Sequence, residues 1–552
     1  VQLSRDDLAD LVDRTEGWPA GVYLAALSLC GHPSPSAFIR QFTGDSRFIV
    51  DFLVEEVLGR QPAEVRQFLA RTSILSRFCA PLCEAVDGSP GAGAILDLLE
   101  RENLFVVPLD MSRRWYRYHH LFGELLRAEL HRLEPDLVAG LHRRAAAWFQ
   151  AEGLVDEAVR HLVAAGDIAG SADLIAADWV NEFNGGGLST VSGWLDLLAD
   201  ETVSRDPRLS AARAWIALHV GQFDDAQMWI DAVEAGSAAA TLDHDTLDHG
   251  TLDHGALDHG ALEAQLVALQ EVHAFKTGDL DAALLAARRA ITLDFGDALH
   301  AQSVAYCVYG SALYFSGDID EAQGALRAAV SLAEEVGNPL ARRYGLGYLA
   351  MISAYKGQLA EAEDLIRCAT GSGRDLADGE QFVEVMVSLA AAIVLDMRGD
   401  VAAAVEAAEM AVGLARKGAG VLEVANALLA RSEILAHLGE HATAAASRDE
   451  AATLLGRCAD AGVVGRLRSV SQRGAGVAVS ARTQTCALGE ELTAKECEVL
   501  GLLVTRLSRR EIGQRLYVSL NTVKTHQRAL YRKLGVEDRN AAVSRARELG
   551  LL

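Results

Sequence analysis

Proline is scarce in this sequence, ten among 552 residues, and aromatic side chains make up only 6%. A chain so poor in helix breakers, and so rich in Ala and Leu, is expected to be mainly α-helical. Its eight cysteines are scattered, and Cys79-x-x-x-Cys83 has no second pair to complete a metal cage. Free thiols are therefore expected rather than disulfides or zinc. There is no run of eighteen apolar residues and no secretory leader, so no membrane contact is expected and the expected compartment is the cytoplasm. The pattern Gly-x-x-x-x-Gly-Lys-Ser/Thr is missing, which leaves no loop to cradle the phosphates of a nucleotide. Gly-x-Ser-x-Gly and His-Glu-x-x-His are missing too. The expectation is a protein that is not an enzyme, with no catalytic residues, no metal and no cofactor of its own.

What is present is strongly asymmetric in charge. Acidic residues outnumber basic ones, 76 to 51. Residues 490–552 reverse the balance, with 12 basic and 8 acidic side chains, leaving 39 and 68 for residues 1–489. A polyanion would be repelled by the body and accepted only by this terminal stretch.

The same stretch carries explicit helix signals. Thr493-x-x-Glu496 and Ser508-x-x-Glu511 each fit a capping box, Ser519 stands where a third helix needs an N-cap, and Gly535 where it needs a left-handed end. On a helical wheel Val523, Gln527, Leu530 and Leu534 share one face, and Asn521, Lys524, Thr525, Arg528 and Arg532 share the opposite one. From Arg506 to Lys533 there are eight Lys/Arg and one acid, Glu511. An apolar stripe opposed by a basic one, on the third of three short helices, is the pattern of a helix-turn-helix reader of DNA.

The middle of the chain repeats. Gly is followed five residues later by Ala at Gly221/Ala226, Gly278/Ala283, Gly317/Ala322, Gly357/Ala362, Gly399/Ala404 and Gly439/Ala444. A second small residue stands twelve after each Gly: Val233, Ala290, Ala329, Ala369, Ala411 and Ala451. Gly serves the turn of a helical hairpin, and alanines seven apart let a neighbouring helix come close. The expected body is an α-solenoid over residues 136–470. It either senses an inducer, small molecule or protein, on its concave surface or acts purely as a scaffold. Residues 241–262 interrupt the period with a Thr/Ala-Leu-Asp-His-Gly repeat. They are expected to form a disordered insertion, an expanded loop rather than a metal site. Residues 471–489 read as a linker.

Residues 1–57 show an amphipathic helical stretch from Leu8, interrupted at Gly17-Trp18-Pro19-Ala20-Gly21. Over residues 58–135 the pattern is helical from Gln61 to Glu84, then a strand at Leu104–Leu109, a turn at Asp110–Arg113, a returning strand at Trp115–His119 and a helix at Leu121–Leu133. Helices followed by a hairpin and another helix predict a winged-helix-like domain.

These residues carry two resemblances. Leu492-Thr493, Glu496-x-Glu498-Val499-Leu500, Ser508-x-x-Glu511-Ile512, Thr522-Val523-Lys524-x-His526 and Tyr531-x-Lys533-Leu534-Gly535 resemble the LuxR-type helix-turn-helix family. That resemblance implies a four-helix domain over 490–552 whose third helix enters the major groove and whose fourth is available for dimerisation. It implies Lys524, Thr525 and Arg528 as base-facing, and Asn521, Thr522, Arg509, Arg510 and Arg515 as phosphate-side residues. Thr15-Glu-Gly-Trp-Pro-Ala-Gly21, Phe68-Leu-x-x-Thr-Ser73 and Trp115-Tyr-Arg-Tyr-His-His-Leu-Phe122 resemble the region after the nucleotide-binding core in MalT-like regulators of the STAND signal-transduction ATPase class. On that resemblance His119, with His120 second, is either a nucleotide-sensing contact or part of a strand-to-helix packing junction. Residues 1–57 become a helical remnant after an absent NTPase core, through which alone ATP or ADP would act.

The resulting expectation is a DNA-binding transcriptional regulator with promoter DNA as partner, dimeric or oligomeric on DNA, with RNA polymerase as a further partner. The alternatives are a repeat scaffold whose terminal domain docks a protein, and an ATP-switched regulator of which this chain is the C-terminal part.

Overall fold

The structure, a computed structural model, describes residues 4–18, 22, 25, 29, 36, 39, 57–102, 104–244, 254–292, 299–371, 376, 379–459, 462, 464, 494–503, 507–516, 520–536 and 538–548. The turn at residues 19–21, the linker at 471–489, and the capping residues Thr493 and Ser519 lie outside them. No helix among the described residues is long and apolar enough to cross a membrane. The chain divides into two compact units, Val1–Asp178 with Asp196–Leu198, and Trp179–Leu195 with Ala199–Leu552.

The first unit opens with α1 (Arg5–Thr15), whose N-terminus is capped by the Ser4 hydroxyl accepting from the Asp7 N–H. After it come α2 (Ala63–Thr72), α3 (Ala80–Asp87), α4 (Ala92–Arg101), β1 (Val106–Pro108), β2 (Tyr116–Tyr118) and α5 (His120–Leu133). The two strands are antiparallel, with Val106 opposite Tyr118 and Pro108 opposite Tyr116. Phe78 adds a bridge on the far side of Tyr116. The turn between the strands is built by Asp110, whose carboxylate accepts from the Arg114 and Trp115 N–H groups and the Ser112 hydroxyl. Phe68, Phe78, Phe122 and Phe149 fill the core. This is the expected winged-helix arrangement, with α4 as an addition that the sequence pattern does not predict. Helices α6 (Pro135–Ala151) and α7 (Val155–Ala164) pack in this same unit, so the repeat body expected from residue 136 begins inside it. Beyond them, α8 (Ile168–Asn184) runs across the division between the units, and α9 (Leu188–Leu195) and α10 (Asp200–Arg205) complete the approach to the repeats.

In the second unit the hairpins are α11 (Pro207–His219) with α12 (Phe223–His244), α13 (His254–Thr277) with α14 (Leu280–Ala290), α15 (Leu299–Ser316) with α16 (Ile319–Val336), α17 (Pro339–Tyr355) with α18 (Leu359–Thr370), α19 (Val385–Arg398) with α20 (Val401–Ala415), and α21 (Val421–Leu438) with α22 (His441–Leu455). Each of the six glycines of the sequence repeat sits at the hairpin turn with positive φ, from +75° at Gly357 to +98° at Gly317. The paired small residues, from Ala226 and Val233 through to Ala444 and Ala451, are all buried. The body is the expected α-solenoid, an array of tetratricopeptide-like helical hairpins.

The five-residue repeat departs from expectation. Residues 241–244 and 254–262 are helical, continuing α12 and opening α13, and residues 245–253 lie outside the described residues. The expectation of an expanded loop across the whole of 241–262 is thus corrected at both ends. Extending an existing helix adds one hydrogen bond for each residue fixed, so segments beside packed helices continue them even without an apolar stripe.

One contact joins distant repeats. The Lys276 ammonium donates to the carbonyls of Leu218 (2.9 Å), in α11, and Gly418 (2.6 Å), between α20 and α21. Gly418 makes this possible. Its φ is +139°, and a Cβ there would stand 2.2 Å from the His219 carbonyl oxygen.

The C-terminal part of this unit contains α23 (Ala494–Leu503), α24 (Arg509–Leu516), α25 (Leu520–Leu534) and α26 (Arg539–Glu548). Its core is Val499, Leu500, Leu503, Ile512, Val523, Leu530, Leu534, Ala542 and Ala546.

Candidate nucleic-acid interface

Helix α24 begins with the expected reciprocal cap. The Ser508 N–H donates to Glu511 Oε2 at 2.7 Å, and the Glu511 N–H donates to Ser508 Oγ at 3.3 Å. Hydrogen bonds to Ser508 hold the Glu511 carboxyl below its ordinary pKa. Helix α25 ends in a full Schellman arrangement. Gly535 has φ +66° and donates to Arg532 O, while the Val536 N–H reaches back to Tyr531 O at 2.9 Å. Helix α26 starts on Asp538, whose carboxylate accepts from the Ala541 N–H.

These ends fix the faces of α25. Val523, Gln527, Leu530 and Leu534 are buried, as the wheel requires. Lys524, Thr525, Arg528 and Arg532 are exposed, Thr522 and His526 are half-buried, and Asn521 lies in the first turn. From α24, Arg509, Arg510 and Arg515 are exposed. Arg509 also serves the fold. Its Nε donates to Gln527 Oε1 at 2.7 Å, clamping α24 to α25. The one polar member of the buried stripe is thereby satisfied.

Two further contacts have no counterpart in the sequence pattern. Lys533, counted with the basic residues, lies 2.8 Å from Glu496 Oε2, with both side chains almost fully buried. Arg539 donates to the carbonyls of Leu502, Leu503 and Leu507, satisfying the C-terminal end of α23 and the turn after it. The spacing of the residues within one helix carries no trace of either.

In the winged-helix unit the two family-like motifs converge. Glu16 ends α1 with φ +46°. Its carboxylate accepts from Arg117 Nη1 at 2.9 Å and from His120 Nδ1 at 2.9 Å. Although burial opposes it, hydrogen bonds from Arg117 and His120 hold the Glu16 carboxyl below its ordinary pKa. Buried His119 donates from Nε2 to Thr15 O at 3.0 Å and packs against the rings of Trp18 and Phe105. Burial pushes the His119 imidazole below its ordinary pKa. One carboxylate and two imidazoles lie within 4.8 Å of one another here, and the buried His119 Nδ1 has no hydrogen-bond partner among the described residues.

Residues 490–546 match the sequence model of "Bacterial regulatory proteins, luxR family". Residues 54–138 match that of the "MalT winged helix domain". The chain carries a MalT-type winged helix and a LuxR-type helix-turn-helix. Among curated relatives, the HTH-type transcriptional regulator MalT of Klebsiella pneumoniae subsp. pneumoniae is 33% identical over 219 residues, 39% of this chain and 24% of that protein. The serine/threonine-protein kinase PknK of Mycobacterium tuberculosis is 36% identical over 215 residues, 39% of this chain and 19% of that one. The chain thus spans about a fifth to a quarter of the length of these curated relatives. Among solved structures, a STAND protein with a tetratricopeptide repeat sensor from Pyrococcus horikoshii aligns with TM-score 0.48 and 12% identity, covering 82% of this chain and 72% of that one.

Proposed function

We propose that this chain is a DNA-binding transcriptional regulator, not an enzyme, whose LuxR-type domain reads double-stranded promoter DNA under the control of the helical-repeat body. The observation that carries this is the outer face of α25, where Lys524, Thr525 and Arg528 stand exposed directly opposite the buried stripe. A helix pinned by its far side to α24 presents that face as a rigid unit, and Lys and Arg offer the donors that match guanine O6 and N7. In this reading Arg509, Arg510 and Arg515, with Asn521, Thr522 and Arg532, position the phosphate backbone. Helix α26 supplies a surface for pairing two copies on DNA. The repeat body takes an inducer, and RNA polymerase is the downstream partner.

The test is binding of the full chain to random-sequence duplexes across a salt series, followed by selection of the preferred site. Affinity should fall steeply with salt. Lys524→Ala and Arg528→Ala should each remove about 1–3 kcal/mol of base discrimination. Arg510→Ala and Arg515→Ala should each lower the salt slope by about one without changing sequence preference. Absent or salt-indifferent binding favours the rival, a scaffold whose terminal domain docks a protein. Unchanged preference in both base-facing variants overturns the assignment of the face.

A further inference from the structure

The repeat unit contains a cleft of about 830 Å³ including its open mouth, set among α8, α11, α13, α15 and α17. Six aromatic side chains stand in its walls: Trp179, Phe183, Trp215, Phe275, Tyr344 and Phe382. Apolar clefts with a few convergent polar groups are where proteins hold small ligands.

One charged group stands in that wall. Lys276 is 4% exposed, and its ammonium lies 3.9 Å from the centre of the Phe382 ring. Its hydrogen bonds run to two backbone carbonyls, which are neutral. Among the described residues it forms no ion pair with a carboxylate. The acid that acts on it electrostatically, Glu423, is committed elsewhere. That carboxylate accepts from the hydroxyls of Tyr344 and Tyr348 and from the Gly420 N–H. Burial lowers the Lys276 pKa to about 8, which leaves the group mostly cationic at neutral pH. A buried cation without a counter-ion is costly, and the cost is relieved by an anion arriving from outside.

We propose that this cleft binds a small organic acid with an aromatic or bulky apolar body, its carboxylate meeting Lys276 and its body lying among the aromatic walls. The proposal deepens the inducer-binding role given above to the repeat body, and its test needs no DNA. The two halves of the ligand follow from the two halves of the site: ring faces favour flat apolar surface, and a charge-assisted hydrogen bond favours a carboxylate over its amide.

The experiment is isothermal titration calorimetry of the full chain with 1-naphthylacetate and its neutral isostere 1-naphthylacetamide. The acid should bind at least tenfold more tightly than the amide. Lys276→Met should bring the acid down to the affinity of the amide. Val304→Trp, which adds bulk to the cleft wall on α15 and leaves Lys276 itself in place, should weaken both, and it keeps the proposal open to refutation if the lysine variant does not fold. Equal affinity for acid and amide, no binding of either at millimolar concentration, or undiminished binding to Val304→Trp would each overturn the proposal. The DNA series fails or succeeds independently, so loss of one reading is distinguishable from loss of the other.

Discussion

The Lys533 ammonium lies 2.8 Å from the Glu496 carboxylate, joining α25 to α23 beneath the surface of the DNA-reading module. A residue that counts as a cation in the sequence is therefore spent inside the domain. Breaking a buried pair from one side leaves an uncompensated charge, at a cost of about 3–5 kcal/mol. Lys533→Met should destabilise the module by that order, measured as lost hydrogen-exchange protection in residues 494–503 and 520–534. Glu496→Leu added to it should restore most of the loss. If the single variant keeps full protection, the pair is not buried as described.

Arg539 should behave as a structural residue although it lies in a basic domain. Its guanidinium satisfies two carbonyls at the end of α23 and that of Leu507 before α24. Lys cannot reproduce that fork, so Arg539→Lys and Arg539→Ala should both lower stability, by about 1–3 kcal/mol. At temperatures where the domain stays folded, the salt slope of DNA binding should stay unchanged. A lowered slope in a fully folded variant would make Arg539 a phosphate contact.

The first unit should weaken on acidification. His142 and His161 face each other Nδ1 to Nδ1 at 2.8 Å, so one donates and the other must be neutral. Burial lowers both pKa values, that of His161 to about 4. The folded state then binds fewer protons than the unfolded one between about 4 and 6.5. The stability this provides is complete above 6.5 and disappears as the pH falls through that window. His161→Gln keeps a partner for His142 but cannot be protonated. Its urea midpoint should fall less steeply with decreasing pH than that of the parent chain, and parallel slopes would exclude the pair as the source.

The opposite dependence is expected from Glu271. It is fully buried, both of its oxygens lack a hydrogen-bond partner among the described residues, and burial pushes its pKa well above 4.5. Above that value the unfolded acid ionises while the folded one holds its proton, so its contribution to stability falls as pH rises. Glu271→Gln removes the penalty. Its thermal midpoint should exceed that of the parent by a margin that grows as the pH rises above 4.5. A constant margin would show that the carboxyl titrates alike in both states.

Gly418→Ala tests the contact between distant repeats. The added Cβ would meet the His219 carbonyl oxygen at 2.2 Å from a backbone with φ +139°. Both the close approach and the conformation oppose it, so the loss should exceed the roughly 1 kcal/mol of an ordinary glycine site. By contrast Gly193→Ala, where a Cβ meets nothing within 4 Å and φ is not positive, should be tolerated. Equal effects of the two on the thermal midpoint would contradict the role given to Gly418.

Local chemistry made much of this legible. The Gly-to-Ala offset announced the hairpins because turn glycine and close-packed alanine answer to requirements within one repeat. Ser508, Glu511 and Gly535 announced helix ends for the same reason. Helix α4 was hidden by Gly88-Ser-Pro-Gly-Ala-Gly93, which reads as loop although Gly91, at φ +98°, serves as its N-cap. Tertiary partners left no signal. Lys533 and Glu496 are 37 residues apart, and the meeting of Thr15 and Glu16 with Arg117, His119 and His120 spans about a hundred. Lys276, next to a helix-ending Thr277-Gly278, reads as an ordinary surface lysine. Only the fold reveals that it is enclosed and faces a cleft.

The bond from Lys276 to Gly418 bridges 142 residues of chain. In an open array of repeats each hairpin feels only its neighbours, and such an array can lengthen like a spring. Here a latch ties an early coil of that spring to a late one. The hairpins between them cannot extend until the latch gives way, so tension or heat applied at one end should be felt at the other as a single yielding event rather than a graded one.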